Sequence, residues 1–304
     1  MATTTKILST KSIISNRAIR LNEPRRVTMR EAIIKIHDTF KGRERKALVH
    51  GKAIECRGYQ AEGSIIGVHL IGYIPDDKIG IVPHTHDELD LMPPPEDTDF
   101  LDGELMALVT DDDLIVCRLG LWESMLSAYV QNLGPKASVD AEDASFGFKN
   151  RTDVDKLKMI EKDGVSEIRF EGVASKAAVD HVAEDRSMIE ALTENVMETV
   201  RALTFAERKA PRPLSENLKV EVFLKFDGRS GTQIDQQELK DIATEVATTE
   251  DDFQIVTRAG KRITPEEVFL TKKINLQRYG KSVAFNDVFE EMKAYHAELT
   301  TPGE

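Results

Sequence analysis

Apolar positions along this chain change period several times, and each change marks an element. Residues 1–24 hold no sustained period and read as an arm or tail ahead of the first element. Thr28 with Glu31 then forms a capping-box pattern that opens a helix running to Phe40. Its apolar side carries Ile33, Ile34, His37 and Phe40, with Arg30 and Lys35 away from that face. Residues 46–57 and 64–74, rich in Val, Ile, His and Tyr, predict strands, and Pro75-Asp76-Asp77 predicts a turn. The acidic, proline-bearing stretch from Pro83 to Asp102 predicts a loop. Leu105–Val109 and Leu114–Arg118 form a hairpin around Thr110-Asp111-Asp112-Asp113. Trp122, Met125, Leu126, Tyr129 and Leu133 then recur at helical spacing until Gly134-Pro135 stops the helix.

Farther along, Phe146–Phe148 predicts a short strand, and Thr152 with Asp155 caps a helix ending at Gly164. Val165–Phe170 predicts a strand and residues 173–183 a helix. Ser187 with Glu190 opens another helix, striped by Ile189, Leu192, Val196, Val200 and Leu203. Two prolines and a shift in composition make 206–217 a linker. Lys219–Phe226 alternates cleanly, with Val220, Val222, Leu224 and Phe226 on one side. A helix capped by Asp235 and Glu238 follows, through Leu239, Ile242 and Val246. Phe253–Thr257 and Val268–Gln277 predict strands separated by Ala259-Gly260, and Asn286 caps a last helix carrying Phe289, Met292, Tyr295 and Leu299. The fold class is therefore α+β in two lobes. A larger N-terminal mixed α/β lobe takes residues 1–205. A small β-α-β-β-α lobe takes 218–304 and offers a dimerisation surface.

Composition narrows the setting. Hydrophobic residues make up 40% of the chain and charged ones 31%, a globular balance. No apolar run approaches the roughly 18 residues of a membrane span, and the N-terminus lacks the apolar core of a signal peptide. Cys56 and Cys117 lie in apolar runs and read as free buried thiols, which places the protein in the cytoplasm. The net charge of −12 is unevenly spread. Residues 1–50 hold twelve Lys and Arg against four acids, whereas residues 76–113 hold thirteen acids against Lys78 alone. Such polarity suits a surface for polyanions on an otherwise repelling molecule.

Catalytic motifs are weak. His84, His86 and Asp87 lie in an acidic loop and are of a type that holds zinc, but Leu89 stands where a metallo-β-lactamase-like motif needs a second histidine. Arg30 and His37 have the spacing of an arginine–histidine ribonuclease pair, yet they precede strands and not a helical bundle. Glu221 and Lys225 are spaced wrongly for a magnesium-dependent nuclease. Walker A, GxGxxG and GxSxG patterns do not occur, and no cofactor is indicated. The positive signal is basic. Arg25, Arg26, Arg30, Lys35, Arg43, Arg45 and Lys46 form one candidate phosphate-contacting group. Lys272, Lys273, Arg278 and Lys281 form a second, beside Arg258, Lys261 and Arg262. Aromatics are only 6% of residues, which favours backbone contact with double-stranded DNA over base stacking.

The run Phe100-Leu101-Asp102-Gly103-Glu104-Leu105-Met106-Ala107-Leu108-Val109, the hairpin turn, the helix from Leu121 and the strand Val165–Phe170 resemble the RexA-type phage-exclusion (abortive infection) proteins. The segment Leu218–Leu299 is similar to them in its alternating strand, capped helix, long strand and terminal helix. The resemblance implies a homodimer that binds DNA largely without sequence preference in antiviral defence, with no active site to carry over. The expectation is thus a non-catalytic, cytoplasmic DNA-binding component of a bacterial or prophage antiphage system, with a possible partner protein of that system. The alternatives are a metal-dependent nuclease using His84, His86 and Asp87, or a protein-interaction module acting through the acidic loop.

Overall fold

The chain folds as a mixed α/β protein built on a large antiparallel sheet. A computed structural model describes residues 2–15, 26–84, 87–173, 219–225, 236–249 and 252–301. In chain order the elements begin with β1 (Thr3–Ser15), α1 (Met29–Thr39), β2 (Lys46–Val49), β3 (Lys52–Glu62), β4 (Ile65–Tyr73), β5 (Ile79–Ile81) and β6 (Asp90–Met92). Next come β7 (Gly103–Val109), β8 (Asp113–Leu119), α2 (Glu123–Leu133), β9 (Phe146–Asn150), α3 (Val154–Asp163) and β10 (Val165–Val173). The rest are β11 (Lys219–Lys225), α4 (Gln236–Thr249), β12 (Phe253–Thr257), β13 (Arg262–Ile263), α5 (Pro265–Val268), β14 (Thr271–Tyr279), β15 (Ser282–Val283) and α6 (Phe285–Thr300). Among the described residues no helix is long and apolar enough to cross a membrane.

Two compact units emerge. The first joins residues 1–149 to 271–304, and the second is residues 150–270. The first unit holds a nine-stranded sheet with the path β15-β14-β1-β8-β7-β4-β3-β2, and β9 pairs with β1 off that path. Every neighbouring pair along the path is antiparallel. All seven residues of β7 are buried, so its unbroken apolar run serves both faces of the sheet. Leu105, Ala107 and Val109 meet α1 and α2 on one face through Ile33, Ile36, Leu126 and Val130. Met106 and Leu108 meet α6 on the other through Val288, Phe289 and Met292.

Glycine decides how closely α6 approaches. A Cβ at Gly67 on β4 would lie 2.5 Å from Cε2 of Phe289, so only a residue without one lets that ring rest on the strand. Glycine also sets the β2–β3 turn. Val49 pairs with Lys52 around His50 and Gly51, whose φ angles are 49° and 80°, the left-handed pair that a two-residue hairpin requires. The single strand expected over 46–57 is therefore two strands. The segment read as an arm over 1–24 contains β1, a central strand whose register sets Leu8 against Cys117 of β8 and Lys272 of β14. Trp122, expected in the apolar stripe of α2, instead caps the helix, is 55% exposed and lies under Arg118, 4.3 Å from its guanidinium carbon.

In the second unit, α3, α4 and the four-stranded sheet β11-β10-β12-β13 share one core around Ile160, Ile168, Phe170, Leu239, Ile242 and Phe253. The run 218–304, read as one small lobe, is divided between the units. β11, α4 and β12 join β10, whereas β14 pairs with β1. Backbone pairing and not nearness in sequence makes that division. The linker at 206–217 and the helix from Ser187 lie outside the described residues, as does all but the first residue of the helix expected over 173–183.

The Gly67–Phe289 contact gives a stability prediction. Gly67→Ala overpacks the site and is expected to cost about 1–3 kcal/mol. Phe289→Ala is expected to cost about 3–5 kcal/mol. Because the alanine methyl fits once the ring is gone, guanidinium unfolding of the double variant should show a loss smaller than the sum.

Candidate nucleic-acid interface

The first basic group is built on α1. Thr28 caps it as the sequence pattern requires: its Oγ1 accepts from the Glu31 N–H, and the Thr28 N–H donates to Glu31 Oε2 at 2.9 Å. Met29, Ala32, Ile33 and Ile36 face the core, which leaves Lys35 in solvent. Arg30 does not point freely outward. Its Nε donates to Asp111 Oδ1 at 2.8 Å, on the β7–β8 turn, and this hydrogen bond holds its pKa above the ordinary arginine value. Arg45 turns back on the helix, its Nε donating to the Phe40 carbonyl at 2.8 Å and its terminal nitrogen to the His37 carbonyl at 3.1 Å. A guanidinium fork there satisfies carbonyls at the C-terminal end of α1 and complements its dipole. His37 stacks on Tyr59, ring centres 3.6 Å apart. Burial first, then the Arg45 charge, lowers its pKa against the opposing pull of Asp38. The Arg30–His37 pair is thus held by two separate partners.

Arg26, Lys35, Arg43 and Lys46 are exposed, and so is Lys41, which the sequence reading passed over although it belongs to the same run. Arg25 and His86 lie outside the described residues. On β14, alternation separates the second group. Lys272 donates to Glu298 Oε1 at 2.6 Å and lies 5.8 Å from the Tyr295 ring, on the α6 side. That bond raises its pKa. Lys273, opposite Ile7, is exposed. Arg278 donates to the Gly280 carbonyl, and Lys281 is exposed beside it. β2 and β14 lie near opposite ends of the strand path, so the ten cations among the described residues make two groups and not one track.

β6 lies inside the stretch from Pro83 to Asp102 expected as a loop, and it pairs with β5, just ahead of that stretch, as a short hairpin. The hairpin exposes Ile79, Ile81, Val82, Leu89, Leu91 and Met92. His84 and Asp87 are exposed in its connection. Among the described residues no group of three or more His, Cys, Asp or Glu side chains could hold a metal ion.

Charge is also buried in the sheet. Lys11 meets Glu123 at 2.6 Å, and Arg118 donates to the same carboxylate. Glu55 accepts from the Tyr73 hydroxyl at 3.1 Å and forms an ion pair with Arg57 at 2.9 Å. Glu104 lies 3.2 Å from Nε2 of His69. Burial pushes the Glu104 carboxyl up, but hydrogen bonds from His69 and Ser282 and the charges of His69 and Lys6 outweigh it and hold the pKa below the ordinary value. Burial pushes both cysteine thiols up to about 11, so each stays protonated at neutral pH and is no ready nucleophile. The chain matches no protein-family model, and no curated protein and no solved structure is significantly similar to it.

Two outcomes follow. Arg45→Ala removes two charge-assisted bonds to helix carbonyls and is expected to cost roughly 1–3 kcal/mol in chemical denaturation. Glu104, with its folded pKa below its unfolded one, stabilises the fold above the ordinary value of 4.5, and that contribution vanishes as pH falls through the lower folded value. Glu104→Gln should therefore be less stable than the parent protein near neutral pH. The difference between the two should shrink when unfolding midpoints are measured under acid conditions.

Proposed function

We propose that this protein binds nucleic acid without sequence preference, gripping the duplex backbone with α1 and the connection from α1 to β2. The observation that carries this reading is the run of exposed Lys35, Lys41, Arg43 and Lys46 on a segment braced by Arg30 and Arg45. Two arginines act as internal struts, and the other cations meet solvent where phosphates can reach them. A net charge of −12 over the whole chain repels a polyanion elsewhere and favours approach through the basic face. The antiphage role and the homodimer enter from the family resemblance, and the cytoplasmic compartment from the two free thiols. The exposed apolar side chains of the β5–β6 hairpin, set among acids, favour a second reading in which this arm docks a basic partner protein.

Lys35→Glu, Arg43→Glu and Lys46→Glu combined should weaken binding of a labelled duplex in a gel-shift titration. The dependence of log affinity on log salt should flatten by about 0.9 for each phosphate that is no longer neutralised. Unchanged affinity and slope would remove this surface from the reading.

A further inference from the structure

Exposed apolar groups gather on one arm of the first unit. The chain leaves the large sheet at Tyr73 and returns at Gly103, and among the described residues β5 and β6 between them pair only with each other. Two strands of three residues are marginal at best in water, and such a hairpin needs a third strand or a surface against it. Ile79, Ile81, Asp90 and Met92 share one side of the hairpin, and Leu91 stands on the other. Ile79, Ile81 and Met92 are at most 41% exposed, whereas Leu89 and Leu91 are each 66% and Val82 75% exposed. Between residues 76 and 99 the arm holds eight acids against Lys78. It is apolar and anionic together, so the surface that fits it is apolar and cationic.

Such a surface lies on the same unit. β2 ends the strand path, so no strand lies along its outer edge among the described residues. On it Leu48 is 65% exposed. Lys46 is on the same side two positions earlier, with Lys41 and Arg43 ahead of it, and all three are exposed. Glu44 is the only acid in residues 41–52, and its carboxylate accepts from the Lys41 N–H at 3.1 Å. Arg45 is engaged by helix carbonyls and Lys52 by Asp102. Leu48 pairs with Ala53 and Ala53 with Tyr73, so the arm springs two strands from Leu48, about 10 Å away. The arm's strands are nevertheless exposed throughout, so it is not seated on its own chain. A donated patch and a receiving patch side by side on one chain are what two copies need to exchange contacts about a two-fold axis.

We propose that the β5–β6 arm of one copy seats on the β2 edge of a second copy, which returns the same contact. The hairpin adds to the open edge of β2, Leu89 and Leu91 cover Leu48, and the arm's carboxylates meet Lys41, Arg43 and Lys46. The arm then occupies cations assigned above to the duplex, so arm and duplex exclude each other. The exchange does not depend on the duplex reading, and only this competition rests on it.

Sedimentation equilibrium of the full chain at low and high salt tests the exchange. The parent should dimerise, and more weakly as salt rises, because exposed opposite charges meet in the contact. Leu89→Ser with Leu91→Ser should weaken the dimer at least about ten-fold, the order expected for leaving a leucine in water. Arg43→Glu with Lys46→Glu should weaken it as well, and adding Asp87→Lys with Glu88→Lys to that chain should restore much of the loss. All six positions are exposed, and circular dichroism checks the fold of each variant. A parent that stays monomeric at low salt and high concentration overturns the proposal and leaves the arm to another protein. A dimer that neither pair of substitutions weakens overturns it too, since that dimer uses another face. In a gel shift, Leu89→Ser/Leu91→Ser should bind labelled duplex more tightly than the parent, and equal affinity overturns the competition alone. If the parent and this variant bind no duplex, the duplex reading and the competition fall together, while sedimentation still decides the exchange.

Discussion

Everything in the first unit depends on one requirement, that a buried strand find hydrogen-bond partners along both edges. β1 meets it with β8 on one side and β14 on the other, and Thr5 pairs across the sheet with Asn275, 270 positions away. The two ends of the unit are thereby closed on each other, and in the sequence residues 150–270 are an insertion within it. Once β1, β8 and β7 are fixed, alternation sends Leu105 and Ala107 toward α1 and α2, and Met106 and Leu108 toward α6. A sheet with helices on both faces needs little further specification.

Local chemistry made much of this legible in the sequence. The Thr28–Glu31 box, the β7–β8 hairpin, the stop at Gly164 and the alternation of β11 act over a few residues, and their signals are complete within those residues. Elements whose identity comes from distant partners were harder to read. β1 looks aperiodic because two polar residues, Thr10 and Lys11, occupy buried positions on it, the lysine held by Glu123, and because burial changes phase between Thr10 and Lys11. The division of β14 from β12 likewise comes from β1, which no local pattern around residue 271 announces. The β2–β3 break did have a signal in His50-Gly51, a pair suited to a left-handed turn.

The candidate surfaces divide along the same line. Counting cations marks the basic stretches but does not tell which side chains are committed inside the molecule. Arginine is the residue most easily diverted, because its planar donor fork suits backbone carbonyls and carboxylates as well as phosphates. Arg45 and Arg30 took those partners, while Lys35, Lys41 and Lys46 remain exposed. On β11, with Val220, Val222, Leu224 and Phe226 on one side in the sequence pattern, Phe223 is the aromatic that falls on the other, and it is exposed.

The pairing of β1 with β14 also has a consequence in time. During synthesis β1 leaves the ribosome long before β14 exists, and β7 and β8 follow it well ahead of residue 271. For that interval the edge of β1 reserved for Thr271–Gln277 is an open template for any passing strand. That edge stays unpaired until β14 arrives, so closing the sheet is one of the last events the chain order allows.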